Sequence, residues 1–144
     1  MKRRIRAISL FSGAGGMDLG FRRAGVEVVW ANDFNRAACE TYRRNLGDEI
    51  RCGSITDYDS SALPDCDLVF GGPPCQGFSL TGPRNFDDER NKLYLSYIKA
   101  VEIFRPKGFI IENVPGMATL YKGEVKDEIL KRFRRLGYDI DCKV

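Results

Sequence analysis

The sequence predicts an α/β fold built on a doubly wound, mostly parallel sheet. Three observations predict it. Short strand-like runs alternate with helical patterns along the chain. The strand-like runs are apolar almost throughout, as strands covered on both faces are. Segments rich in Gly, Pro, Asn and Asp follow the strand ends, where the ligands of such sheets gather.

Ile5–Leu10 is the first strand and leads into a glycine-rich stretch. Met17–Ala24 reads as a helix, with Gly25 placed to stop it. Val26–Ala31, rich in Val and Trp, is the second strand. Arg36–Leu46 is a helix closed by Gly47, Ile50–Cys52 a short third strand, and Asp67–Gly71 a fourth that runs into a Gly/Pro-rich loop. Leu93–Phe104 places Leu93, Tyr97, Ala100, Val101 and Phe104 at helical spacing and ends before Pro106. Phe109–Glu112 is a buried strand. Val125, Ile129, Leu130, Phe133 and Leu136 form a second apolar helical stripe, with Gly137 as its C-cap, and Tyr138–Val144 begins a further strand. No repeat or linker interrupts the pattern.

The 144 residues suit one domain with a buried core. A composition of 43% hydrophobic and 30% charged residues is globular rather than disordered. No apolar run approaches the roughly 20 residues of a membrane span. The basic start Met1–Arg6 is followed by too short an apolar run, Ala7–Phe11, for a secretory signal. The expectation is a soluble protein with no membrane partner, cytoplasmic or nuclear. The net charge of +3 does not by itself indicate nucleic acid. The clusters Lys2–Arg3–Arg4, Arg22–Arg23 and Arg132–Arg134–Arg135 suit phosphates or, equally, solvated helix faces. The five cysteines have no C-x-x-C spacing and there is no histidine, so no metal site is expected. Without histidine, catalysis falls to Cys, Asp, Glu, Lys, Tyr or a bound cofactor.

Four segments carry candidate chemistry. Phe11-Ser12-Gly13-Ala14-Gly15-Gly16 joins the first strand to its helix. Its glycines allow a tight turn and close approach of a ligand, and the helix N-terminus favours an anionic group. A tight turn with no ligand is the competing reading. Asp33, with Phe34 beside it, follows the second strand, where a carboxylate can hold ribose hydroxyls and an aromatic ring can cover adenine. A cap for the next helix is its alternative role. Gly71-Gly72-Pro73-Pro74-Cys75-Gln76-Gly77-Phe78-Ser79 fixes the backbone just before a thiol at a strand's carboxyl end, a context that favours reactivity over a structural cysteine. Glu112-Asn113-Val114-Pro115 sets a carboxylate after an apolar strand, where it needs a partner, a proton or exposure to water.

In this order the segments resemble the DNA cytosine-5 methyltransferase family over nearly the whole chain. Leu10–Gly16 resembles its first motif, Asn32-Asp33-Phe34 its second, Gly53-Ser54-Ile55 its third, Gly72–Ser79 its fourth and Glu112-Asn113-Val114 its sixth. The resemblance implies a Rossmann-like S-adenosylmethionine-dependent methyltransferase that methylates carbon 5 of a flipped-out cytosine in DNA. Cys75 is implied as the nucleophile and Glu112 as the group acting near ring N3. Phe11, Ser12, Gly13, Gly15, Gly16, Asp33, Phe34, Ser54, Ile55, Pro73 and Leu93 are implied around the cofactor S-adenosyl-L-methionine, and Gln76, Ser79, Asn113 and Arg84 around the substrate.

The sequence departs from the family pattern at Ser9 and Ser54, where aspartates are usual, and the family's later motifs and target-recognition region are missing. The expectation is therefore one incomplete cofactor-binding and catalytic domain, 1–144, with the last strand Tyr138–Val144 an exposed edge next to apolar surface. Activity would then need a complementing C-terminal polypeptide. Methylation of tRNA, which one branch of the family performs, and an inactive module that only binds cofactor are the competing readings.

Overall fold

The computed structural model describes residues 3–59, 62–74 and 92–143. Strands β1 (Arg6–Leu10), β2 (Glu27–Asp33), β3 (Ile50–Cys52), β4 (Leu68–Gly71) and β5 (Gly108–Ile111) form one sheet in the order β3-β2-β1-β4-β5. All four pairings are parallel. The helices are α1 (Gly16–Arg23), α2 (Arg36–Asn45), α3 (Lys92–Phe104), α4 (Gly116–Thr119) and α5 (Glu124–Arg135). The chain builds outward from β1 to β3, then returns to the other side of β1 for β4 and β5. That reversal sets the topological switch point between β1 and β4, where open α/β sheets bind ligands.

The two-residue strand period divides the core. Ala7 of β1 and Phe70 of β4 face one side, with Cys39 and Tyr42 of α2. Their neighbours Ile8, Leu10 and Val69 face the other, with Tyr97 and Val101 of α3 and Val125, Ile129 and Phe133 of α5. Phe21 stacks on Phe70 on the first side and Phe109 lies on Phe133 on the second, each with ring centroids 4.2 Å apart. Each large apolar side chain buried in these layers contributes about 1.5–3 kcal/mol. Gly71 is required where β4 passes β1, because a Cβ there would collide with the Leu10 carbonyl. Among the described residues, no helix is long and apolar enough to cross a membrane.

The strands and helices read from the pattern are all present except one, with ends displaced by a residue or two. The exception is Tyr138–Val144: its described residues, 138–143, form no strand. A strand exists through its ladder partner. Here the segment is held by side chains instead, the Tyr138 hydroxyl donating to Pro106 O at 2.7 Å and its ring meeting Phe109 edge-on. The sheet edge on this side is therefore β5, where Ile110 is exposed. Helix α4 and the kinked turn after it, with Tyr121 and Lys122 at positive φ, carry no periodicity that predicts them.

Candidate active site

The register of the sheet brings the candidate segments to one edge. Leu10 pairs with Asn32, so the glycine-rich turn and the Asp33 segment leave the sheet side by side. Phe11 adopts a left-handed conformation, φ 55°. For a non-glycine residue this costs roughly 1–2 kcal/mol. It is held by Ser12, whose N–H and hydroxyl both donate to Asn32 O, at 2.9 and 3.2 Å. Gly13 and Gly15 also have positive φ. Asp33 is nearly buried and links the two turns: Oδ2 accepts the Gly13 N–H and Oδ1 the Asn35 N–H, each at 2.8 Å. The helix-capping role considered for Asp33 belongs to Asn35, whose side chain accepts the Ala38 N–H. Each Asp33 oxygen retains a lone pair for a bound hydroxyl.

Beside Asp33 lies a cleft of about 230 Å³ lined by Phe11, Asn32, Phe34, Gly53, Ser54, Ile55 and Leu93. Whole small-molecule sites run to roughly 300–1,000 Å³, so this cleft suits one flat ring system. Phe34 is 69% exposed at its rim, an unusual setting for a large aromatic ring. The Ser54 hydroxyl accepts the Thr56 N–H and lies 2.8 Å from Thr56 Oγ1, capping a 3-10 turn at Ile55–Asp57. Asn32 is the residue that sequence reasoning passed over. It is buried, and its Nδ2 donates to Arg51 O and Gly53 O, both at 3.0 Å, holding the end of β3 against the cleft. The signal was an amide next to Asp33 at a strand's carboxyl end. On the glycine turn, a Cβ at Gly13 or Gly16 would meet nothing within 4 Å, so the turn faces open space. An apolar slot, a carboxylate at its edge and an open glycine cradle fit the three parts of S-adenosylmethionine: adenine, ribose and amino-acid tail.

Across the switch point, Gly71 pairs with Ile111, so the Gly72-Pro73-Pro74 and Glu112-Asn113 segments also emerge together. Asn113 Nδ2 donates to Pro73 O at 2.8 Å and its Oδ1 accepts the Val114 N–H at 2.9 Å. This substrate candidate thus ties two loops together. The Glu112 N–H donates to Gly71 O. Its carboxylate is exposed, so water solvates it. A Cβ at Gly72 would lie 3.0 Å from Glu112 Oε2, so a side chain there would make that exposed carboxylate shift slightly. Cys75, Gln76, Ser79 and Arg84 lie outside the described residues. Two other cysteines are poorly suited to nucleophilic work: burial pushes the Cys39 thiol up to about 12 and the Cys66 thiol up to about 11. Arg22 and Arg132 of the basic clusters pair with Glu49 and Glu128.

The family model for C-5 cytosine-specific DNA methylases matches residues 5–144. This chain belongs to that family. The type II methyltransferase M.NgoFVII of Neisseria gonorrhoeae is 43% identical over 142 residues, covering 96% of this chain and 38% of that protein. The type II methyltransferase M.FnuDI of Fusobacterium nucleatum is 40% identical over 141 residues, covering 97% of this chain and 41% of that protein. Among solved structures, the S. pombe Dnmt2 methyltransferase superposes with a TM-score of 0.73 at 27% identity, over 95% of this chain and 42% of its own. The chain thus spans about two fifths of the length of these family members. The methylase family and the superposition agree with the doubly wound parallel sheet.

Proposed function

We propose that this chain is the cofactor-binding and nucleophile-bearing part of an enzyme that methylates carbon 5 of cytosine in DNA. The observation that carries the reading is the convergence, on one sheet edge, of the Phe11–Gly16 turn, Asp33 and the apolar cleft with the Gly72–Pro74 and Glu112 segments. Phe11, Phe34, Ile55 and Leu93 would enclose adenine, and Ser54 would lie at its edge. Asp33 would accept the ribose hydroxyls, Ser12, Gly13, Gly15 and Gly16 would face the amino-acid tail, and Pro73 would close the site on the side of β4. When bound, S-adenosylmethionine supplies an electrophilic methyl group.

The residues of the chain supply the rest. Carbon 5 of cytosine is a weak nucleophile. The Cys75 thiolate forms a bond to carbon 6, and the ring electrons move toward carbon 5 and N3. Glu112 stabilises the charge that develops at N3 by hydrogen bonding or proton donation. After carbon 5 is methylated, its proton leaves to a base, the C6–S bond breaks and the thiolate is regenerated. A thiol reaches carbon 6 only from outside the ring plane, so the base leaves the stack. Gln76, Ser79 and Arg84 are proposed substrate contacts, and Asn113 acts on the substrate side through its tie to Pro73. Turnover is expected to require the remaining length that the family members have.

The test is trapping on duplex DNA that contains 5-fluorocytosine, with S-adenosylmethionine present and the complementing polypeptide supplied. The fluorine cannot leave as a cation, so the adduct persists. The expected result is a covalent complex mapped to Cys75 and absent in Cys75→Ala. An adduct at another residue would contradict the assignment, and an adduct formed on RNA but not on DNA would contradict the substrate.

A further inference from the structure

Beneath the glycine turn lies a buried polar cluster that takes no part in the proposed chemistry. Asp18, in the first turn of α1, is fully buried, as are Ser9 of β1 and Tyr42 of α2. The Ser9 hydroxyl donates to Asp18 Oδ2 at 2.9 Å and the Tyr42 hydroxyl to Oδ1 at 2.8 Å. An ionised carboxylate in an apolar layer is expensive to bury unless donors meet it. Here both oxygens have one, and the start of a helix favours negative charge. Burial still raises the Asp18 carboxyl above its ordinary value, and the two hydroxyls oppose that shift. The other end of the cluster is anchored as well, because the Tyr42 hydroxyl also lies 3.2 Å from Glu49 Oε1, and Glu49 pairs with Arg22 of α1.

The cluster reaches the turn through Gly15. A Cβ at Gly15 would collide with Leu46 Cδ1 and lie 2.8 Å from Tyr42 Cδ2, so Leu46 and the Tyr42 ring together form the floor on which the turn rests. The carboxylate that fixes Tyr42 also fixes the first turn of α1 against β1. Asp18 thereby holds the start of α1 together with the bond from the Gly15 N–H to Ser12 O.

We propose that Asp18, acting with Tyr42 and Ser9, is a positioning residue for the amino-acid tail of the cofactor. It aligns the Gly15–Gly16 backbone and makes no contact with the ligand itself. The inference rests on the cofactor reading above and deepens it. Its distinctive consequence is a split between the two ends of the ligand. The adenosine end is held by Asp33 and the cleft, which are secured by their own bonds to Gly13, Arg51 and Gly53. The Asp33–Gly13 bond also steadies the turn, but the Gly15–Gly16 backbone at the tail end rests on Asp18 and Tyr42.

The experiment compares S-adenosylhomocysteine, which has the tail, with 5′-methylthioadenosine, which lacks it, by calorimetric titration of the whole chain. Asp18→Ala is expected to weaken S-adenosylhomocysteine on the order of tenfold and 5′-methylthioadenosine less than about twofold, the scale of losing one charged hydrogen bond at the tail only. Asp18→Asn is expected to recover most of the loss, because the Tyr42 hydroxyl can turn its hydrogen to Glu49 and accept from the amide. Should Asp18→Ala fail to fold, Tyr42→Phe tests the same point: it keeps the ring under Gly15, removes one donor, and is expected to show the same split at roughly threefold. Equal losses for both ligands, or no loss for either, would overturn the inference while leaving the cofactor reading intact. A native chain that binds neither ligand would overturn the cofactor reading, and the inference with it.

Discussion

The two halves of the sheet edge are built differently. On the β1-β2-β3 side a series of bonds joins strands and turns: Asp33 to Gly13, Ser12 to Asn32, Asn32 to Arg51 and Gly53. On the β4-β5 side one side chain, Asn113, ties the two loops together, and Glu112 is exposed. The first half is a preformed socket. The second is more open, with a single tie between its loops. The difference teaches that the proposed cofactor side and the proposed reactive side are held by separate sets of bonds, so variants should divide along the same line.

The largest effect expected is on the socket side. Asp33→Ala removes the acceptor of two backbone N–H groups and the proposed ribose contact. Hydrogen bonds to a charged group are worth about 1.5–3 kcal/mol each, so S-adenosylhomocysteine affinity should fall roughly a hundredfold by calorimetry. A fall of less than about threefold would show that the socket does not depend on this carboxylate.

Asn113→Ala should do the reverse. It frees the Pro73 carbonyl at a cost of about 1 kcal/mol, so 5-fluorocytosine adduct formation should slow by roughly three- to tenfold while S-adenosylhomocysteine affinity stays within about twofold. A parallel loss of cofactor affinity would mean that the halves are coupled.

What the sequence made legible follows the same division. Apolar strands, helical spacing and the glycine turn all depend on local pattern, so β1 to β5 and the long helices were readable, as was the meeting of Phe11, Asp33 and Phe34 at one edge. What depends on tertiary partners was not. Asp18 carries no local signal, and nothing near it in sequence says that Ser9 and Tyr42 will bury and satisfy it. Asn113 is implied as a substrate contact by the family resemblance, and nothing local announces the bond of its amide to Pro73, 40 residues away. Tyr138–Val144 has a strand's composition, yet 138–143 has no ladder partner among the described residues.

The smallest effect should touch both halves equally. Asp67, just before β4, accepts the Arg6 N–H at 3.0 Å and pairs with Lys107 at 2.9 Å and Arg3 at 3.6 Å, joining the amino ends of β1, β4 and β5. The backbone N–H of Arg6, followed by Lys107, holds its carboxyl below the ordinary value. The stabilisation is therefore present above the unfolded value of about 3.9 and is lost as pH falls through the lower folded value. Thermal melts should show a modest drop in Tm below about pH 4 that Asp67→Asn diminishes. Cofactor affinity between about pH 6 and 8 should be unaffected by that variant.

The central claim is that the socket is complete within these residues. Calorimetric titration of the unaltered chain with S-adenosylhomocysteine tests it most directly. The predicted result is saturable binding at one site per chain, with no DNA and no complementing polypeptide present. A chain that is folded by circular dichroism yet binds no S-adenosylhomocysteine would contradict the claim and place part of the cofactor site outside this polypeptide.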